Sequence, residues 1–418
     1  MNIGTNMLPT QAPFDASAML STRIRRIAMN PIIRLLTQVQ AMERAGHKLT
    51  SFTPGESDFD TPLYIQEAAI AAMRRGETRY TPTDGTADLK EAVRDKFMRE
   101  NGLRYETAQI SVASGAKQII FNALACTLND GDEVIIPAPY WTTYPEVVAV
   151  CDGKPVIVPC SRSQGFKLQP QDLARAITPR TKWLILNSPG NPTGAVYSAE
   201  ELCALAAVLM KHPRIMVMSD DMYEHLLYDG LQHATIAQAA PEMFDRTLTV
   251  NGASKTYAMT GWRIGYSGGP SVLARAMAAI QSQATSNPCS ISQAAALAAL
   301  TGPQDFVVAN KAVFEERRNL MVELLNQIPG ISCVSPQGAF YCFADCTPLM
   351  GKRAPGGARL TTDTELATYF LDAARVAMVQ GAGFGLSPYL RLSYATSLEN
   401  IEAGCRRIGA AVAMLTFA

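Results

Sequence analysis

Short runs of hydrophobic residues, each bounded by turn-forming residues, recur between about residue 110 and residue 252. Aliphatic and β-branched side chains dominate these runs, which predicts buried strands. The five clearest runs are 132–137, 154–159, 182–187, 214–220 and 247–252. Between them lie longer stretches with helical periodicity, such as 198–212, where Ser198 and Glu201 have the spacing of a capping box. The alternation predicts an α/β fold with a mostly parallel sheet sandwiched by helices.

The pattern changes after about residue 300. Long helical stretches there accompany two further β-like runs, "GAFYCFAD" and "YLRLSYA". We expect a second, smaller α+β domain that combines residues 19–60 with residues 303–418. Residues 61–302 then form the large domain, and ligands are expected at the carboxyl ends of its strands.

Composition narrows the class of protein. Lys plus Arg and Asp plus Glu both number 37, which gives no indication of nucleic acid or an anionic membrane as a partner. The nine cysteines form no repeated Cys-x-x-Cys pattern and the four histidines are scattered, so no metal site is expected. Residues 1–18 are polar and predict a loose leader without a signal peptide. With the odd number of cysteines, this predicts a cytoplasmic protein, and no apolar run reaches the ~18 residues of a membrane helix.

Two of the predicted strand ends carry groups that could contact a flat anionic ligand. The run "AQISVAS" leads through Gly115, Ala116 and Lys117 into a helical stretch, where backbone N–H groups and the helix dipole favour an anion. A simple tight turn is the alternative for this segment. After the next strand, Trp141 lies in an extended segment, where it could stack on a ligand or pack in the core.

Three later strand ends carry an amide, an acid and an amine. Asn191 lies in "NSPGNPTG", whose Pro and Gly content forces a defined loop and allows a cis X-Pro bond. Asp220 ends an apolar strand three residues before Tyr223, where a carboxylate is costly unless it is paired with a cation. Lys255 and Arg263 follow in "NGASKTYAMTGWRIGY". A surface-loop acid and a solvated lysine are the alternatives.

Taken together, these strand ends supply an aromatic face, an acid, an amide, an amine and an anion cradle. Those are the groups needed to hold pyridoxal 5′-phosphate, which requires ring stacking, a partner for the ring nitrogen, a lysine for the aldehyde and a phosphate site. A solvated lysine would not predict all of these groups in this order. The combination therefore favours pyridoxal phosphate as the cofactor.

The chain resembles the class I (fold type I) pyridoxal-phosphate-dependent aminotransferases, in the aspartate aminotransferase-like branch. The resemblance extends from about residue 25 to the end of the chain. It rests on "GASKTYAMTGWRIG", "SPGNPTG", "SDDMYEHLLYDG" and "YLRLSYATS", which occur in the order typical of the family.

The resemblance implies a role for each cofactor-binding residue. Lys255 would form the covalent link to the cofactor aldehyde and act as the catalytic base. Trp141 would stack on the ring, and Asp220 would pair with the ring nitrogen. The remaining contacts would be Asn191 and Tyr223 to the phenolic oxygen, and Gly115, Ala116, Lys117, Ser254 and Arg263 to the phosphate.

The resemblance also implies the substrate contacts and the partner. Arg391 would bind the substrate α-carboxylate in a bidentate manner, and the substrate site would further include Gly55, Trp141 and Asn191. Tyr80 would reach the phosphate of the neighbouring subunit, which implies a homodimer with shared active sites. The implied reaction transfers an α-amino group between an L-amino acid and a 2-oxo acid, with aspartate and 2-oxoglutarate as one candidate pair.

Two departures from the family pattern leave the substrate open. Gln380 stands where a proline is common, and no basic residue lies between Arg275 and Lys311, the region around Ser282 where some aspartate enzymes place an arginine for the distal carboxylate. A lyase, decarboxylase or oxidase on the same scaffold is the second hypothesis, since the fold does not fix the reaction. A cofactor-binding sensor is the third, but it would need a DNA-binding module that we do not find.

Overall fold

The computed structural model describes residues 15–27 and 31–417. Residues 1–14 of the predicted leader lie outside the described residues. The strands are β1 (Thr50–Ser51), β2 (Ile110–Ala113), β3 (Glu133–Ala138), β4 (Lys154–Pro159), β5 (Thr181–Asn187), β6 (Met216–Asp220), β7 (Thr247–Gly252), β8 (Gly265–Gly268), β9 (Tyr341–Asp345), β10 (Val376–Ala377), β11 (Val379–Gln380) and β12 (Tyr389–Ser393).

The helices connect and cover these strands. The α-helices are α1 (Pro31–Arg44), α2 (Leu63–Arg74), α3 (Ala87–Asn101), α4 (Ala116–Ala125), α5 (Thr143–Val150), α6 (Pro170–Ala176), α7 (Ala199–Leu209), α8 (Ile236–Ala239), α9 (Ser271–Ala284), α10 (Ser290–Thr301), α11 (Asp305–Asn326), α12 (Asp363–Tyr369) and α13 (Leu398–Ala413). Short 3-10 helices lie at Ala16–Met19, Thr22–Arg26, Thr107–Gln109, Arg162–Gln164, Pro241–Arg246, Thr260–Trp262, Thr347–Leu349 and Gly381–Phe384, and a π-helical turn lies at Phe370–Ala374.

The large sheet has seven strands in the order β2-β8-β7-β6-β5-β3-β4. β8 is antiparallel to both of its neighbours, β2 and β7, and the pairs among β3, β4, β5, β6 and β7 are all parallel. Each of the five predicted runs forms one of these strands, so the predicted mostly parallel sheet is confirmed. The register pairs Asn187 with Asp220 and Asp220 with Val250, which brings the carboxyl ends of β5, β6 and β7 to one edge.

Helices cover both faces of this sheet because alternate strand residues point to opposite sides. Trp183 and Ile185 of β5 pack in a core with residues of α4, α5 and α9. Leu184 and Leu186 of the same strand pack in a second core with residues of α6 and α7. The capping box predicted at Ser198 is present at the start of α7.

A second, antiparallel sheet in the order β11-β12-β9 packs against α11, α12 and α13. The short strand β1 pairs with β10 in a parallel register, which attaches residues 50–51 to the C-terminal part of the chain. This pairing agrees with the predicted smaller α+β domain, whose boundaries at residues 60 and 303 stay a prediction. Among the described residues, no helix is both long enough and apolar enough to cross a membrane.

Candidate active site

A cavity of about 370 Å³ opens at the carboxyl ends of the parallel strands. Its volume falls in the range of small-molecule sites. It brings together eleven of the predicted site residues: Gly55, Ala116, Lys117, Trp141, Asn191, Asp220, Tyr223, Ser254, Lys255, Arg263 and Arg391. Residues separated by more than 300 positions in the sequence therefore meet in one pocket.

Lys255 lies in the turn that follows β7, inside the pocket. Its Nζ donates a hydrogen bond to the carbonyl oxygen of Gly55. Burial lowers the pKa of Lys255 to about 8, and Arg263 and Arg391 act in the same direction, whereas Glu56 and Asp220 oppose them. A lysine amine with a lowered pKa is more often unprotonated near neutral pH, which is the form that attacks an aldehyde.

Asp220 ends β6 at the floor of the pocket, with only 3% of its surface exposed. Its carboxylate accepts a hydrogen bond from the hydroxyl of Tyr144 at 2.6 Å and one from the backbone N–H of Met222 at 3.3 Å. It forms no ion pair within residues 15–27 and 31–417. Burial raises the pKa of Asp220 to about 6 despite these two donors. The site therefore holds a buried acid that still has room for a cationic partner.

The start of α4, which we call the α4 cradle, combines groups that suit an anion. Gly115 precedes the helix with a φ of 91°, and a side chain at this position would overlap with the guanidinium of Arg263. Ala116 is the first helical residue, so its backbone N–H has no acceptor within the helix, and it lines the pocket together with Arg263. Ser254 is buried beside this space. A helix N-terminus next to an arginine and a hydroxyl suits a phosphate group.

Arg391 on β12 is 1% exposed, yet it has no carboxylate partner in the described part of the chain. One of its nitrogens donates to Asn191 Oδ1 at 3.2 Å and another to the carbonyl oxygen of Thr53 at 2.6 Å, while its Nε makes no hydrogen bond. The guanidinium also lies 4.5 Å from the ring centroid of Tyr341. A buried guanidinium without an acid is costly, and a ligand carboxylate would compensate it.

Trp141 and Lys117 form one wall of the pocket. The Lys117 ammonium lies 4.9 Å from the centroid of the Trp141 ring. Burial lowers the pKa of Lys117, and the neighbouring Arg263 lowers it further. Trp141 is half-buried and contacts Tyr144 edge to face at 5.4 Å. Its indole can therefore stack on a ligand ring while Tyr144 supports it from behind.

Asn191 and Tyr223 line the same pocket as Asp220. The backbone N–H of Asn191 donates to Asn187 Oδ1 at 2.9 Å, which orders the loop in which Ser188–Pro189 and Asn191–Pro192 are cis, as the sequence allowed. The hydroxyls of Tyr223 and Tyr341 are 2.9 Å apart. An amide and a phenol are thus available to a ligand oxygen.

Six further residues line the pocket that were not predicted from the sequence: Glu56, Tyr144, Asn187, Met222, Thr260 and Tyr341. Tyr144 follows Trp141 by three residues, and that spacing at the start of a helix was a usable signal. Tyr341 gave no such signal, because it sits in an apolar strand that reads as core. By contrast, Tyr80 was predicted to serve the neighbouring subunit; it lies outside this pocket and is 91% exposed.

A second polar cluster lies outside the pocket wall. It joins Glu100, Glu224 and His225, whose ligand atoms lie within 4.8 Å of one another. The ammonium of Lys96 pairs with Glu224 and lies 3.5 Å from Glu100. This ammonium already supplies the cation that these carboxylates require.

The pocket residues fit pyridoxal phosphate. The unpaired Asp220 suits a protonated ring nitrogen, the α4 cradle suits a phosphate, and Lys255 is placed for covalent attachment. Arg391 remains available for a carboxylate of a second ligand.

Comparisons with known proteins agree with this chemistry. Residues 47–408 match the family model described as aminotransferase class I and II. The chain is 52% identical to a protein named aspartate aminotransferase from Rhizobium meliloti, over 95% of this chain and 97% of that one. It is 51% identical to one named aspartate/prephenate aminotransferase from Cereibacter sphaeroides, over 96% of this chain and 100% of that one.

Solved structures give the same result. The crystal structure of the aspartate aminotransferase from Rhizobium meliloti superposes with a TM-score of 0.93 at 52% identity, covering 95% of this chain and 99% of that one. The aspartate aminotransferase from Thermus thermophilus with maleate superposes with a TM-score of 0.87 at 41% identity, covering 94% of this chain and 99% of that one.

Proposed function

The chain belongs to the aminotransferase class I and II family, and from this premise we propose that its amino donor is aspartate, recognised through both carboxylates. The coarser function is established by the family: the protein is a pyridoxal-phosphate-dependent aminotransferase of amino acid metabolism that acts on an amino acid and a 2-oxo acid. The substrate and the roles of individual residues are the subject of the proposal.

Four pocket residues would contact the reacting part of the cofactor. Pyridoxal phosphate, when bound, supplies an electron-withdrawing ring that makes the α-proton of an amino acid removable. Lys255 would hold the cofactor and would move the substrate α-proton as a general base. Asp220 would stabilise the positive charge on the ring nitrogen, while Asn191 and Tyr223 would hold the phenolic oxygen.

The remaining contacts hold the two ends of the reacting assembly. Gly115, Ala116, Ser254 and Arg263 would hold the phosphate, because they surround the α4 cradle. Arg391 would hold the substrate α-carboxylate in a bidentate contact, with Gly55, Trp141 and Asn191 around it.

The observation that carries the substrate proposal is the number of cations in the pocket. Four basic residues line it: Lys117, Lys255, Arg263 and Arg391. The cofactor aldehyde, the phosphate and the α-carboxylate engage three of them. Lys117 is the fourth, and it has no acidic partner in the described part of the chain. An amino acid with a second carboxylate would supply that partner.

Lys117 would therefore take the place of the arginine that some aspartate enzymes have in the region around Ser282 and that this chain lacks. Ser282 lies on α9, where its hydroxyl donates to the carbonyl oxygen of Ala279 at 2.8 Å, and it does not line the pocket. This shifts Lys117 from the phosphate to the distal carboxylate. Support comes from the Thermus thermophilus relative, whose structure contains maleate, a four-carbon dicarboxylate.

Prephenate is a second candidate, as an amino acceptor. The relative from Cereibacter sphaeroides is named aspartate/prephenate aminotransferase. Prephenate is itself a dicarboxylic oxo acid, so the same two cations could bind it.

The test follows the absorbance of the cofactor-loaded protein when one amino acid is added without an oxo acid. Aspartate should convert the lysine-linked cofactor to its amine form, and neutral amino acids should require far higher concentrations. Lys117→Met should weaken the apparent affinity for aspartate about 10–100-fold, the worth of a charge-assisted contact of roughly 1.5–3 kcal/mol. It should leave alanine nearly unaffected.

Lys211→Met is the matched control, because Lys211 is exposed and lies outside the pocket. An equal loss for aspartate and alanine in Lys117→Met would contradict the role of Lys117. Release of carbon dioxide or ammonia instead of an oxo acid would favour the lyase, decarboxylase or oxidase hypothesis.

The homodimer with shared active sites is also a proposal. Tyr80 is 91% exposed, and α2 exposes the apolar side chains of Leu63 and Met73 nearby in the sequence. Burial of these groups against a second copy would explain their exposure. Light scattering should give the mass of two chains, and a stable active monomer would contradict the proposal.

We also expect a cytoplasmic location, with no nucleic-acid or membrane partner. Cell fractionation can check the location of the protein.

A further inference from the structure

Residues 53–61, which we call the strap, contribute Gly55 and Glu56 to the lining of the pocket and are hydrogen-bonded to other parts of the chain at several points. The carbonyl oxygen of Thr53 accepts a hydrogen bond from Arg391 at 2.6 Å, and that of Gly55 accepts one from Lys255. At its other end, Thr61 Oγ1 donates to the carbonyl oxygen of Ala258 at 2.7 Å. The strap is therefore in direct hydrogen-bond contact with the reactive lysine.

Glu56 makes the central contact of the strap. Its Oε2 accepts a hydrogen bond from the hydroxyl of Thr260 at 2.6 Å. The carbonyl oxygen of Thr260 in turn accepts one from Arg263 Nη1 at 2.8 Å. An exposed glutamate normally samples many rotamers, so this chain of hydrogen bonds fixes a negative charge at one point of the pocket rim.

The fixed charge matters because cations dominate the surroundings of Lys255. The charged groups that face the pocket are Glu56 from the strap, Lys117 from α4, Asp220 from β6, Arg263 after the lysine turn and Arg391 from β12. Burial lowers the pKa of Lys255, and Glu56 is the strongest of the groups that oppose this effect. Asp220 accepts its hydrogen bonds from Tyr144 and Met222 at the end of β6. Glu56, by contrast, directly follows Gly55, whose carbonyl oxygen accepts a hydrogen bond from Lys255 Nζ.

We propose that Glu56 is a positioning residue for Lys255: held by Thr260, it keeps the strap hydrogen-bonded to the lysine and fixes a negative charge at the rim of the pocket that holds the lysine. The proposal rests on the proposed role of Lys255 as the cofactor-binding residue. The pH at which the Lys255 nitrogen gains or loses its proton then depends on the carboxylate of Glu56. Among the described hydrogen bonds, this carboxylate makes none to the lysine nitrogen.

The test is a pH titration of the visible absorbance of the cofactor-loaded protein. Loss of a negative neighbour disfavours the protonated nitrogen, so Glu56→Gln should move the midpoint to lower pH. The expected shift is a few tenths of a pH unit, as for one partly exposed charge pair. A purely structural role of Glu56 would leave the midpoint where it is.

Two variants of Thr260 separate the position of the charge from its presence. Thr260→Ala keeps the carboxylate but frees it, so the midpoint should fall by less than in Glu56→Gln. Thr260→Ser keeps the hydroxyl and should restore the wild-type midpoint. Glu67→Gln is the matched control, because Glu67 is an exposed glutamate of α2 outside the pocket, and its midpoint should equal that of the wild type.

The outcomes also distinguish this inference from the proposed function. If Lys255→Ala still forms the covalent, borohydride-reducible link to the cofactor, the role of Lys255 is wrong. If the wild type forms the link but Glu56→Gln titrates at the wild-type midpoint, the inference about Glu56 is overturned. Should Glu56→Gln fail to fold, Thr260→Ala decides, since an unshifted midpoint in that variant contradicts the role of the fixed charge.

Discussion

Two buried carboxylates four residues apart behave in opposite ways. Asp220 is 3% exposed and is the last residue of β6. Glu224 is 6% exposed and lies four residues beyond the end of that strand. Burial raises the pKa of Asp220 to about 6. Burial acts in the same direction on Glu224, but the Lys96 ammonium and the nearby histidines overcome it and hold the pKa of Glu224 well below its usual range.

The difference lies in what the chain itself provides. Glu224 pairs with Lys96 and accepts hydrogen bonds from Asn101 at 2.8 Å and Asn251 at 2.6 Å. Asp220 receives only the Tyr144 hydroxyl and one backbone N–H, and no cation lies against it among the described residues. A carboxylate whose charge is fully compensated stabilises the fold, whereas one that lacks a cation is suited to bind a cationic ligand.

The largest expected effect comes from removing the compensation of Glu224. Lys96→Met should lower the free energy of unfolding by about 3–5 kcal/mol, because it leaves a buried carboxylate without its cation. Denaturant unfolding of the cofactor-free protein measures this. Lys182→Met is the control, since Lys182 pairs with Asp132 near the surface and its loss should cost less than about 1 kcal/mol.

Equal losses in Lys96→Met and Lys182→Met would contradict the contrast between the two carboxylates. The same result would mean that water or a rearranged His225 compensates Glu224 when the lysine is absent.

The second prediction concerns the pH dependence of the cofactor-free protein. A carboxyl group whose pKa is raised on folding destabilises the fold as it ionises. The usual pKa of Asp220 is 3.8 and its pKa in the folded protein is about 6, so its contribution to the free energy of unfolding falls as the pH rises between these two values. Glu224 acts in the opposite direction, because its pKa is lowered and its contribution is lost as the pH falls below about 4.5.

Asp220→Asn removes the first of these effects. Its stability relative to the wild type should therefore rise between pH 4 and pH 7, by up to about 3 kcal/mol. Unfolding of both cofactor-free proteins across this range measures the difference. With pyridoxal phosphate bound the order should reverse, and a difference that does not change with pH would contradict the assignment of Asp220 as an uncompensated acid.

Much of this comparison could be predicted from the sequence. The strand that ends at Asp220 and the turn that carries Lys255 follow from hydrophobic runs bounded by turn-forming residues, and their parallel register follows from the alternation of strands and helices. Polar groups at the ends of such strands must meet at one edge, which is why Trp141, Asn191, Asp220 and Lys255 were identified together.

The remainder depends on contacts between distant parts of the chain. No local pattern indicates that Lys96 reaches Glu224 across 128 positions, and a lysine on α3 reads as a solvent-exposed residue. In the same way, Thr260 gives no sign that it holds Glu56, 204 positions away. Such pairs are fixed by tertiary packing, which single-sequence periodicity does not record.

The smallest of the three effects comes from Tyr144, which tunes Asp220 without touching the Glu224 cluster. Tyr144→Phe removes one hydrogen bond to a charged acceptor, worth about 1.5 kcal/mol, and should raise the pKa of Asp220 further. The cofactor should then bind about twofold more weakly at neutral pH, because a pKa raised by about one unit leaves only about half of Asp220 ionised to pair with the ring nitrogen. Titration of the cofactor-free protein with the cofactor, followed by tryptophan fluorescence, measures this affinity, with Tyr140→Phe as the control.

The loss of cofactor affinity in Tyr144→Phe should shrink at higher pH, where Asp220 ionises in both proteins. A loss that is the same at every pH would assign Tyr144 to packing against Trp141 instead.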